Sequence, residues 1–300
     1  MTAATATWAP DDPRANKHRV KPARVLLHGF LILTSLVWLV PLVSALYVSF
    51  RPYGETSRKG IFSAPDELTL SNYTGAFKQG QMAHHYIVTL MVVIPSLVLI
   101  LFLSSFVAFA VSRFTWRFNI ALLLVFTAGN LLPQQVIIQP LFQMYKRIPL
   151  PWSESGNLLD TLIGVGLIHI SFQIGFCTFV LSNYMKTIPK ELNEAAMVDG
   201  ASVWRQYAQI ILPLCRPAIA ALATLEFTWI YNDFFWAVVL IKSGDKRPIT
   251  SSISNLTGQF FSDDNLVASG SLLIALPTLV VYLILQKQFI SGLTLGASKG

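Results

Sequence analysis

The chain has 300 residues, 53% of them hydrophobic and only 12% charged, with a formal net charge of +7 and a mean hydropathy of +0.55. Soluble domains carry about 25% charged residues, so a water-soluble fold is excluded for want of surface charge. With 20 Phe, 7 Trp and 9 Tyr beside 17 Gly and 16 Pro, disorder and collagen-like repeats are excluded as well, which leaves an integral, all-α membrane protein.

Residues 1–24 form a basic N-terminal tail (Arg14, Lys17, Arg19, Lys21, Arg24). A bilayer core about 30 Å thick needs about 20 apolar residues per helix. Six windows meet that length: Val25 to Phe50, Tyr86 to Val111, Asn119 to Met144, Thr161 to Met185, Pro217 to Ile241 and Leu266 to Leu285. The first apolar run is too long for the core of a signal peptide and is expected to be retained. Alternating ten-residue strands are absent, which argues against a β-barrel. Six transmembrane helices over residues 25–290, with tails at 1–24 and 291–300, put both termini on one side. With those termini cytoplasmic, the inner side holds 13 Lys and Arg against 9 outside, in the sense of the positive-inside rule. The basic excess reads as attraction to anionic lipid and not to nucleic acid, since no basic stripe is interleaved with stacking aromatics. Cys177 and Cys215 are too few for a disulfide framework or a zinc cluster and read as apolar packers.

Three connections are longer than a minimal bundle needs: 51–85, 186–216 and 242–265. The second, predicted to lie inside, reads PKELNEAAMVDGASVWRQYAQIILPLCRP from Pro189. Pro189 is placed to open a helix, and Glu191 and Glu194 complement its dipole. Gly200 after Asp199 supplies a left-handed stop. A second amphipathic stretch of Val203, Trp204, Tyr207, Ile210 and Ile211 runs to Pro213. Ala195 and Ala196 permit close approach by another protein, to which Glu194 offers a carboxylate; an interfacial hairpin lying on lipid headgroups fits the periodicity equally.

Glu194, Ala195, Ala196, Gly200, Ile210, Leu212 and Pro213 match, position by position, the EAA-loop signature. The chain thereby resembles the permease subunits of ATP-binding-cassette (ABC) importers. LLPQQVIIQPLF, YNDFFW and the ending QKQFISGLTLGASKG narrow the resemblance to carbohydrate permeases similar to the second membrane subunit of the maltose transporter. It runs from about Leu68 to Gly300 and departs in the N-terminal tail and at residues 147–160 (RIPLPWSESGNLLD). The resemblance implies a type I ABC importer permease fold in a bacterial plasma (inner) membrane, forming half of a sugar pathway. It implies a second permease, two ABC ATPase subunits and an extracytoplasmic solute-binding protein as partners. Glu194, Ala195, Ala196, Asp199, Gly200, Ile210, Leu212 and Pro213 would then carry coupling to the ATPases. The loop from Lys242 to Asp264 would reach toward the binding protein, and Leu295 to Gly300 would lie near the ATPases. The chain has no GxxxxGK[ST] segment, so ATP and Mg would be bound, and ATP hydrolysed, on partner subunits; no catalytic residue, metal or cofactor is expected here.

Charged groups inside spans normally face protein or a wet cavity. Glu226 and Asp233 are seven residues apart, two helical turns, and would share a face with Trp229, flanked by Asn232 and Trp236. Such acceptors beside indole rings suit sugar hydroxyls and apolar sugar faces; for Asp233 and Asn232 the favoured reading is that they hold the span to a neighbour, and Glu226 is the sharper candidate for a chain-specific role. Gln135, Gln139 and Gln143 recur at four-residue spacing, with Asn130 and Gln134 nearby, and could line a hydrophilic path or join helices. His169 and Gln173 form an i, i+4 pair, with no function assigned to His169. The readings from other classes are a self-sufficient secondary transporter or channel, for which no internal repeat is found, and a membrane-embedded enzyme, for which no HExxH or GxSxG constellation is found.

Overall fold

The computed structural model describes residues 22–294 apart from 116, 132 and 258–262. The basic tail before Pro22, the ending Leu295 to Gly300, the side chain of Asn130 and the middle of the 242–265 loop lie outside the described residues. All regular structure among the described residues is helical, with one isolated antiparallel bridge, Pro149 to Asn157.

Four helices are long and apolar enough to cross a bilayer: α1 (Pro22–Ser49), α4 (Met82–Arg113), α7 (Leu162–Thr187) and α14 (Asp264–Thr294). Between the first two lie α2 (Tyr53–Lys59) and α3 (Ser71–Gln79). Helices α4 and α7 form the centre and run parallel, their C-terminal ends joined by Arg113, whose Nη1 and Nη2 donate to the carbonyls of Ile188 and Met185 at 3.1 and 2.8 Å. Small residues let them approach: a Cβ on Gly166 would stand 3.0 Å from Ser96 Oγ. Buried Ser104, Ser105, Thr178 and Ser182 add to that small-residue content, the composition that close packing in lipid requires.

Two expected spans are not straight. Residues Asn119 to Met144 divide into α5 (Asn119–Leu131) and α6 (Gln134–Arg147), bent by 96°. Pro133 stands at the break; it has no N–H to give and disfavours helical geometry in the residue before it. Residues Pro217 to Ile241 divide into α11 (Arg216–Tyr231) and α12 (Phe235–Leu240). There Asn232 Nδ2 bonds back to Thr228 O at 2.9 Å, while both oxygens of Asp233 accept from the first amides of α12, Trp236 N and Ala237 N, each at 3.1 Å. Short polar side chains that compete for the backbone end one helix and start the next. With α11 finished at Tyr231, Glu226 and Asp233 do not share a continuous helical face.

At the end of the bundle where α4 and α7 begin, α1, α2, α3 and α14 are joined around buried Arg51. Its guanidinium donates to Ile61 O at 2.8 Å, Ser63 Oγ at 2.7 Å and Glu55 Oε1 at 2.5 Å. Asn265 of α14 and Asn72 of α3 both donate to the carbonyl of Arg51, at 2.6 and 2.8 Å. The Arg51 guanidinium holds the Glu55 carboxyl below its ordinary value. Arg51→Met strands these acceptors, and a loss of this kind is expected to lower the amount of folded protein in membranes several-fold. Arg51→Lys, which keeps the charge but loses the fork, falls between; quantitative immunoblots of membrane fractions check the order.

Candidate functional site

Two places concentrate the candidate residues. The first, at the bundle end where α4 and α7 terminate, is a helical hairpin on the chain between α7 and α11. Helix α8 (Glu191–Val198) starts two residues later than Pro189 would set it, with Lys190 as its N-cap. It ends in a Schellman motif: Ala201 N reaches Ala196 O at 2.9 Å and Gly200 N reaches Met197 O at 3.0 Å. Gly200 takes φ +75°, the left-handed geometry that glycine holds without strain. Ser202 then caps α9 (Val203–Arg205) through Arg205 N at 3.3 Å. The helix continues through a π-helical turn, Gln206–Ile211, into α10 (Leu212–Leu214), so Pro213 lies within it instead of ending it. The π turn buries Tyr207 and Ile211, with the Tyr207 hydroxyl 2.8 Å from Ser105 Oγ of α4.

This seating decides which signature residues are presented. Asn193 and Ala196 are buried, Asn193 Nδ2 donating to Gln206 Oε1 at 3.1 Å. Ala196 therefore packs inward and is not part of an outward small-residue face. Glu194, Ala195, Asp199 and Gly200 are exposed, beside Leu192, Met197 and a Val198 that is 88% exposed. Ile210, Leu212 and Pro213 are half-buried, the first two against the core.

The second place is a cavity of about 450 Å³ lined by Gln134, His169, Gln173, Phe176, Trp229, Asp233 and Trp236. The elements that meet there are α6, α7, α11 and the α11–α12 break. His169 Nε2 stands 3.3 Å from Asp233 Oδ2, outside hydrogen-bond geometry, and makes no hydrogen bond. Trp229 packs on Phe176 at 5.4 Å between ring centroids, and Trp236 stacks on Phe172 at 6.1 Å. Thr250 Oγ1 donates to Asp233 O at 2.6 Å, tying the break to α13 (Ile249–Ser252).

Of the residues singled out in sequence, Trp229, Asp233 and Trp236 come together here. Glu226 is fully buried elsewhere, accepting from Cys177 Sγ at 3.1 Å. Asn232 is exposed and bonded to its own helix. Gln135 and Gln139 are exposed on α6 and do not line the cavity, which takes Gln134 in their place. His169, Gln173 and Phe176 are the lining residues that sequence reasoning left without a role; their i, i+4, i+7 spacing on α7 was the available signal.

Comparison with known proteins agrees with this architecture. A family described as the binding-protein-dependent transport system inner membrane component matches residues 60–293. A probable ABC transporter permease protein of Pyrococcus horikoshii is 30% identical over 263 residues, covering 86% of this chain and 91% of its own length. The diacetylchitobiose uptake system permease protein NgcG of Streptomyces coelicolor is 28% identical over 271 residues, covering 90% and 87%. Among solved structures, a bacterial ABC transporter involved in the import of the acidic polysaccharide alginate superposes with a TM-score of 0.74 at 21% identity, covering 88% of this chain and 95% of that one. The fold is thus that of a type I ABC permease, and the chain, a multi-pass membrane protein, belongs to the family of binding-protein-dependent transport system inner membrane components.

Proposed function

We propose that this chain is one of two permease subunits of a bacterial ABC importer for carbohydrates, set in the plasma (inner) membrane with both termini in the cytoplasm. The end carrying α8–α10 then faces the cytoplasm, and the end carrying α2, α3 and α13 faces the solute-binding protein. ATP and Mg are held on two separate ATPase subunits, and this chain contributes no catalytic group. The carbohydrate assignment draws on relatives such as the diacetylchitobiose permease.

The observation that carries the coupling role is the outward face of α8. Glu194, Ala195, Met197 and Val198 are exposed on a short helix whose other side is fixed by the buried Asn193–Gln206 bond. An apolar face with one carboxylate, held rigid from behind, is suited to a groove on an ATPase. Aspartate and glycine at 199 and 200 set its end, and Ile210, Leu212 and Pro213 hold the following helix against the bundle. The test is to purify the tagged chain from native membranes in mild detergent. A second permease and an ABC ATPase are expected to accompany it, and Glu194→Lys is expected to retain the permease while recovering several-fold less ATPase. Recovery of the chain alone, still moving solute, would sink the reading.

A further inference from the structure

The cavity beside the α11–α12 break carries information that family membership does not. We propose that it is a subsite for one neutral sugar ring, stacked on Trp229, with hydroxyls read by Gln134, Gln173 and His169 and acidic sugars excluded by Asp233. The proposal rests on the carbohydrate-import reading and names what this subunit selects.

Size is the first argument: at about 450 Å³ the cavity falls within the roughly 300–1,000 Å³ of small-molecule sites. Shape and chemistry are the second. Trp229 is 43% exposed and braced by Phe176, so an indole is held in place with surface to offer. The axial C–H groups of a pyranose ring form an apolar face that packs on such a ring. Around its rim the hydroxyls need partners that both donate and accept, which amide side chains provide. His169 is only 6% exposed, and its Nε2 makes no hydrogen bond. A buried polar atom without a partner is a standing cost that a ligand hydroxyl would remove.

Charge is the third argument, and it sets the substrate class. The seven lining residues include no Lys or Arg. Asp233 is fixed in the wall, each oxygen accepting one backbone N–H of α12, so it cannot swing away from an incoming anion. A uronate carboxylate would stand near a like charge with no Lys or Arg in the lining to offset it, whereas a neutral ring meets no such penalty. This separates the chain from its fold neighbour, which is involved in importing acidic alginate.

The test uses the whole importer, with partner permease, ATPases and binding protein, in proteoliposomes. Gln173→Cys places a thiol on the cavity wall, while native Cys177 and Cys215 are fully buried and contribute little background. Two methanethiosulfonate probes are compared, one trimethylammonium and one sulfonate, each normalised to its rate with a free thiol. The cation is expected to label several-fold faster than the anion, and Asp233→Asn to bring the rates together. At least one of maltotriose, cellobiose and N,N′-diacetylchitobiose should slow labelling, trigalacturonate should not, and Trp229→Ala should remove the protection but leave labelling intact. Gln134→Cys serves if the first variant does not assemble. Equal protection by trigalacturonate, or no protection by any neutral sugar, overturns the proposal. If ATP hydrolysis still responds to the binding protein in that case, only the subsite fails; if that response is also missing, the import reading fails with it.

Discussion

Gly200→Pro is expected to lower solute uptake by at least about tenfold, the scale of a typical coupling free energy between sites, while membrane abundance stays near wild type. Gly200 sits at φ +75°, and proline is confined near −65°. Proline also removes the N–H that reaches Met197 O at 3.0 Å. Both bonds of the Schellman motif then fail, and α8 loses its angle to the Ser202-capped helix that follows. The bundle itself, built on α4 and α7, is untouched by this change, which is why insertion should survive. Gly200→Ala is the control: a Cβ there meets nothing within 4 Å, so the left-handed conformation alone costs about 1–2 kcal/mol and uptake should be reduced without being lost. Uptake and binding-protein-stimulated ATP hydrolysis, measured in the same proteoliposomes, check the pair. Wild-type uptake by Gly200→Pro would remove α8 from the coupling path.

Apolar length is visible in sequence, and the four long helices α1, α4, α7 and α14 fall where hydropathy puts them because length and burial of backbone groups decide a span. Direction is not visible in the same way. The windows at Asn119 to Met144 and Pro217 to Ile241 each read as a single span, yet Pro133 turns the first and the Asn232–Asp233 pair interrupts the second. That interruption is what separates Glu226 from Asp233, since seven-residue spacing implies a shared face only along an unbroken helix. Bent helices of this kind would also suit a self-sufficient transporter; the family match over residues 60–293 decides between the two. The α8 hairpin was legible because glycine at a helix end has one main use, and Gly200 fills it. That Ala196 faces inward was not legible, because residue type alone does not say which side the second helix of the hairpin covers. His169 was left without a role for a related reason: Asp233 and the aromatic wall arrive from α11 and the break beyond it, and only the fold brings them beside it.

Asp160→Ala is expected to release the segment before α7 from the chain that follows α12. Residues 148–160 fold back on themselves through Ser153, Ser155 and Asn157 and bury Leu150, Leu158 and Leu159. Asp160, at φ +57°, ties this segment to the chain after α12. Its Oδ1 accepts from Lys242 N and Ser243 N at 2.7 and 2.8 Å, and its Oδ2 from Ser243 Oγ at 2.5 Å. Lys246, paired with Glu154, lies 3.8 Å away. The same stretch then supplies Ile249 N to Thr89 Oγ1 at 2.8 Å and Thr250 to the carbonyl of Asp233, so a loosened loop reaches the cavity. Removing the carboxylate leaves three donors without their acceptor, and hydrogen exchange at Lys242 and Ser243 should accelerate about tenfold or more, the scale of one net hydrogen bond. Burial alone would raise the carboxyl's pKa, but the bonds from Ser243 and Lys242 and the charge of Lys246 outweigh it and hold it below its ordinary 3.8. A folded-state value below the unfolded one means the tether contributes fully above the ordinary carboxyl range and is lost only as pH falls through the lower value. Wild-type protection at Lys242 and Ser243 should accordingly be flat from pH 8 to pH 5, with Asp160→Ala less protected by about tenfold or more throughout. Protection that fades between pH 7 and pH 5 would show that the tether does not rest on the Asp160 carboxylate.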